Sequence, residues 1–152
     1  MSVEENETIA LGYFEAFVNK DLAWIDEHIA PDFVRHDPGL PFEVRGPEGV
    51  KELNSAFHMA FPDLRLDIED VIAEGGKVLV RLAIRASHRG ELAEIPPTGK
   101  EVDVPVMDLF RIADGRLAEH WAIIDNLGMM QQLGVIPAPD EAATGITERL
   151  QE

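Results

Sequence analysis

Apolar side chains recur at helical spacing up to about residue 61 and alternate with polar ones from about residue 64 onward. Ile9, Tyr13, Phe14 and Phe17 fall on one face of a helix predicted over 3–19. A short second helix is predicted near 22–29, limited by Pro31, because a residue before proline avoids the helical region. Phe33 and Val34 begin a short extended piece that ends in His36-Asp37-Pro38-Gly39. Gly46-Pro47-Glu48 opens a third helix, since proline suits a first turn whose N–H groups lack partners anyway. It carries Val50, Leu53, Phe57 and Phe61 and stops at Pro62.

Leu64, Leu66 and Ile68 then alternate with polar residues, and Glu74-Gly75-Gly76-Lys77 reads as a hairpin turn. The clearest strand follows. Val78, Val80, Leu82, Ile84, Ala86 and His88 share one face, which must look inward. Arg81, Arg85 and Arg89 lie on the other. After the turn at 95–100, a strand over 101–112 places Val104, Val106, Asp108, Phe110 and Ile112 on one side and Arg111 on the other. The Arg111 side is expected outside. The strand over 116–124 offers two sets, one with Leu117, Glu119, Trp121 and Ile123, the other with Ala118, His120, Ala122 and Ile124. Periodicity does not choose between them. A last helix is predicted over 125–133, with Asp125 at its N-cap and Gly134 at its end.

Helices followed by a meander of about four strands give an α+β fold with a mainly antiparallel sheet. The length of 152 residues fits a single domain over 1–152, with a tail from about 136 to 152. Thirteen basic and 29 acidic residues leave a net charge of −16, which argues against nucleic acid and against anionic membranes. No apolar run is long enough to span a bilayer, the acidic N-terminus lacks the apolar core of a signal peptide, and there is no cysteine. A cytoplasmic location is expected.

The interior positions carry the candidate chemistry. Asp108 is an acid among apolar neighbours, where desolvation raises a carboxyl pKa. A carboxylate beside an imidazole orients it and raises its basicity. Asp108 with His88 and His120 would therefore suit general acid/base work next to a carbonyl. Each has a structural reading too: His88 bonding the nearby turn, Asp108 pairing with an arginine, His120 as a satisfied core histidine. Tyr13 either aims its hydroxyl inward or simply packs. His36 sits in a loop that would close a pocket mouth. The arginines weighed, Arg81, Arg85, Arg89 and Arg111, all read as outward. No two histidines have metal-motif spacing, so no metal and no cofactor is expected.

Phe61-Pro62-Asp63-Leu64-Arg65, His88-Arg89-Gly90, 95–100 (Ile-Pro-Pro-Thr-Gly-Lys), 110–115 (Phe-Arg-Ile-Ala-Asp-Gly), Glu119-His120-Trp121 and Gln131-Gln132-Leu133-Gly134 together resemble the SnoaL-like polyketide cyclases of the nuclear-transport-factor-2-like superfamily. The resemblance implies a cone: helices packed in a strongly curved sheet around a deep apolar cavity, commonly in a homodimer. It implies ring closure of an aromatic polyketide ester by intramolecular aldol condensation, without cofactor. It sets the family's catalytic Asp at Ala122 and a family His at Asp108, and so turns His120 inward. The cavity lining expected on this basis is Tyr13, Phe17, His36, Phe57, Phe61, Phe110, Ala122 and Ile124. The functional reading is a small-molecule enzyme for aldol-type cyclisation or isomerisation. The alternative is a non-catalytic carrier of an apolar small molecule, and a third is an interaction module using the outer sheet face.

Overall fold

The computed structural model describes residues 2–137. The tail expected over 136–152 lies, from residue 138 on, outside the described residues. Helix α1, Val3–Asn19, starts where Ser2 accepts a bond from the Glu5 amide, with Glu4 and Glu5 favoured beside the positive helix end. It ends at Lys20 in the left-handed conformation. Helix α2, Leu22–His28, is capped by Asp21, whose carboxylate accepts from the Trp24 amide. Helix α3, Gly46–Ala60, begins with Pro47 as expected and stops before Pro62. Helix α4, Asn126–Gln132, is capped by Asp125, which accepts from the Gly128 amide at 2.9 Å.

Six strands form one sheet: β1 (Ile29–His36), β2 (Val44–Arg45), β3 (Arg65–Glu74), β4 (Lys77–Ser87), β5 (Glu101–Ala113) and β6 (Arg116–Ile124). Their spatial order is β2-β1-β6-β5-β4-β3. The last four make the expected antiparallel meander, and β1 joins it in parallel along β6. Helix α1 touches β3, β4 and β6, so the sheet curves around it. Its Tyr13, Phe14 and Phe17 are buried against that inner face. Phe33, Phe110, Leu117 and Val80 lie in the same buried cluster.

The ladder explains the ambiguity of β6. Arg111 pairs with Glu119 but Ile112 pairs with Leu117, leaving Ala118 as an extra residue. Such a bulge changes which alternate residues face the core. Leu117 is therefore buried, and so are His120 and Ala122. The two alternating sets each supply part of the inner face.

Removing the α4 cap leaves the Gly128 amide without its partner. Asp125→Ala is expected to cost about 1 kcal/mol in urea denaturation, and Asp125→Asn, which keeps an acceptor, clearly less.

Candidate active site

Asp108 on β5 and His120 on β6 both turn inward and both are buried. They sit one step apart across the ladder, where Asp108 faces Ala122 and Phe110 faces His120. His120 Nε2 lies 3.0 Å from Asp108 Oδ1. That is hydrogen-bond distance, but the atoms are poorly aligned, so neither is satisfied in direction. The contact is a close approach of a carboxyl group and an imidazole rather than a completed hydrogen bond. The His120 ring stacks on Phe110 with centroids 4.2 Å apart and meets the Tyr13 ring edge-on at 5.5 Å. Its Nδ1 has no partner among the described residues.

Tyr13 reaches the same place from α1, and Arg35 from β1, where it stands in register with His120. Arg35 Nη1 donates to the Tyr13 oxygen at 3.3 Å. Arg35 Nε and Nη2 both donate to Asp37 Oδ2, at 3.2 and 2.9 Å. Burial, above all, pushes the Tyr13 phenol up to about 12; Arg35 pulls it down and Asp108 adds to the rise. Burial alone works against the Arg35 charge, but Tyr13, Asp108 and Asp37 together outweigh it and hold its pKa above the ordinary value. Burial also holds His120 below the usual imidazole range, and Asp108 opposes this only in part.

Tyr13, Arg35 and Asp108 are the polar walls of one internal pocket, completed by apolar side chains that include Phe17, Phe57 and Ile124. The free space is narrow, about 30 Å³, enough for one or two waters. Of the lining expected from sequence, Tyr13, Phe17, Phe57 and Ile124 are there. Phe110 and Ala122 are fully buried behind the pair, and Phe61 is packed against Phe57 and His88. These three form core around the pocket rather than its wall.

Two expectations need correction. His88 does not join Asp108 and His120. Asp108 faces Val80, and His88 follows eight residues along, roughly 25 Å of extended chain. There its Nδ1 accepts from the Thr98 amide at 3.2 Å, which fixes the turn at 95–100. His36 is not at the pocket mouth. It lies on the outer sheet face, stacked on Trp121 and 2.7 Å from Glu119 Oε2. Strand alternation is the reason: the inward neighbours on β1 are Phe33 and Arg35, so His36 must point out. The same parity was the signal for Arg35. Arg81, Arg85, Arg89 and Arg111 do lie outward or exposed, but Arg35 was not weighed, and it enters the core.

Among the described residues no group of side chains is arranged to hold a metal ion, and no helix is long and apolar enough to cross a membrane. Residues 7–133 match the family model described as SnoaL-like polyketide cyclase. The chain is 32% identical over 110 residues to aklanonic acid methyl ester cyclase DnrD of Streptomyces peucetius, covering 71% of this chain and 72% of that one. It is 29% identical over 119 residues to the nogalonic acid methyl ester cyclase of Streptomyces nogalater, covering 77% and 87%. The crystal structure of AclR from Streptomyces galilaeus superposes with a TM-score of 0.82 at 30% identity, over 99% of this chain and 96% of that one.

His120 links the site to pH. The unfolded imidazole binds a proton near pH 6.5, whereas the folded one resists it to lower pH. Stability tied to this group is therefore complete above about pH 6.5 and lost as pH falls toward the folded value. Urea denaturation should register that fall, and His120→Gln should flatten it by up to about 1.4 kcal/mol per pH unit.

Proposed function

The chain belongs to the SnoaL-like polyketide cyclase family, and on that premise we propose that it closes a ring in a polyketide-like carbonyl compound by intramolecular aldol chemistry. One observation carries the reading: a buried carboxylate, Asp108, lies 3.0 Å from a buried imidazole and faces a pocket that also holds a phenol hydroxyl. Asp108 takes a proton from the carbon next to a carbonyl. The enolate oxygen then accepts a hydrogen bond from Tyr13, which its raised pKa keeps protonated. The enolate carbon attacks a second carbonyl of the same molecule, one C–C bond forms, and the new alkoxide takes the proton back from Asp108. Product and substrate are isomers, so no oxidant or reductant enters. His120 packs close behind Asp108, and its burial favours the neutral imidazole.

Entry of a substrate requires the half-buried Phe57 and Ile124 at the pocket wall to move, because the space between the walls, about 30 Å³, is too narrow for anything much larger than water. The family resemblance puts the usual acid at residue 122. Here Ala122 stands directly across the ladder from Asp108, so the carboxylate enters the same interior from the neighbouring strand. We assign a second copy of the chain to the outer sheet face, where Met107 and Ile123 pair and are exposed.

Turnover of an aromatic polyketide methyl ester, followed as a product of unchanged mass and shifted retention, tests the reading. Asp108→Asn should lower kcat by roughly 10²- to 10⁴-fold. Retained ligand affinity with no turnover by the unmodified chain on any such ester would instead establish a carrier. Asp108→His should be nearly inactive, and adding Ala122→Asp to it should restore at least about tenfold in kcat, a non-additivity expected of directly paired residues.

A further inference from the structure

The buried Arg35 is not accounted for by the Asp108–His120 pair. A guanidinium in the core is costly unless its charge and its donors are matched. Asp37 matches the charge, taking both Nε and Nη2 on one oxygen, while its other oxygen accepts from the Gly39 amide at 3.0 Å. This fixes the guanidinium plane from the turn side. The remaining donor, Nη1, is thereby aimed at Tyr13. Arginine has donors only, so the phenol oxygen must accept that bond. The phenol's own proton is then free to point elsewhere, and Tyr13 lines the pocket together with Arg35 and Asp108.

We propose that Arg35, clamped by Asp37, is a positioning residue that commits the Tyr13 hydroxyl to donate into the pocket, making it a cradle for an oxyanion next to the Asp108 carboxyl. The inference rests on the proton-transfer reading above and narrows its substrates. They are compounds whose reacting oxygen becomes an enolate or phenolate, not esters or amides attacked by water. Buried beside carboxylates, this phenol keeps its proton and gives only a hydrogen bond, while the positive Arg35 adds attraction for the anion.

The test uses 4-nitrophenol, whose phenolate absorbs apart from the phenol, and needs no turnover. Asp108→Asn mimics the carboxyl after it has taken the substrate proton, so binding is measured in that full-length protein. Tyr13→Phe and Arg35→Met are added singly and together. Nitrobenzene, which carries no phenolic oxygen, is the reference ligand. Arg35→Met should weaken nitrophenolate about tenfold when Tyr13 is present and less than threefold when Tyr13 is already Phe. Nitrobenzene should be unaffected. Equal losses in both backgrounds, no loss, or no saturable nitrophenolate binding at all would overturn the inference. Arg35→Met strands Asp37, and where that variant unfolds, Arg35→Met with Asp37→Asn removes both charges and is held to the same outcomes. Failure here leaves the role of Asp108 standing, because that is judged by kcat; loss of the Asp108 role leaves this binding cycle readable.

Discussion

A carboxylate in the middle of an apolar core is the constraint around which the interior is arranged. Asp108 is among the most expensive groups to bury, and it stays only where neighbours offset its lost hydration. Four polar side chains gather near it from three directions: His120 from the next strand, Tyr13 from α1, and Arg35 at the end of β1 with Asp37 just beyond it. Other ion pairs of the sheet, such as Arg81 with Asp70 and Arg85 with Asp67, sit on the outer face, where water does most of the stabilising. The polar cluster is thus selective in place as well as composition. It lies where α1, β1, β5 and β6 meet, and all four must be folded before any of it exists.

Two backbone details aim this cluster. The extra residue at Ala118 lets β6 bury both Leu117 and His120, which a regular strand would put on opposite faces. The parallel pairing of β1 with β6 sets Arg35 beside His120 and His36 beside Trp121. One residue of strand therefore separates a guanidinium in the core from an imidazole on the surface. The pocket is narrow, so the cluster is pre-arranged while room for a substrate is not. Preorganised donors in a site screened from bulk water act strongly on a developing charge, as the proposed proton transfer at a carbonyl requires.

An acid at residue 122 and one at residue 108 project from adjacent strands into the same space, because these residues face each other in the ladder. A carboxyl group at residue 108 thus reaches, from the neighbouring strand, the same interior that residue 122 faces. A motif read along one strand would count Ala122 as a loss; the sheet pairs it with Asp108.

By itself the sequence determined the helices, the meander, the inward faces of β4 and β5, and the burial of Asp108. These follow from local periodicity and from punctuation by proline, glycine and capping side chains, which act over a few residues. It also carried the family. Tertiary structure alone decided the rest. The inner face of β6 depends on a bulge that only its pairing with β5 reveals. His88 has the right parity but the wrong position along its strand, since alternation fixes a face and says nothing of distance along it. His36 was expected in a loop at a pocket mouth, but β1 runs through it, so alternation turns Arg35 into the core and His36 out, and only the pairing with β6 sets Arg35 beside His120. Charges that meet across four elements are set by packing, and no spacing along the chain encodes that meeting.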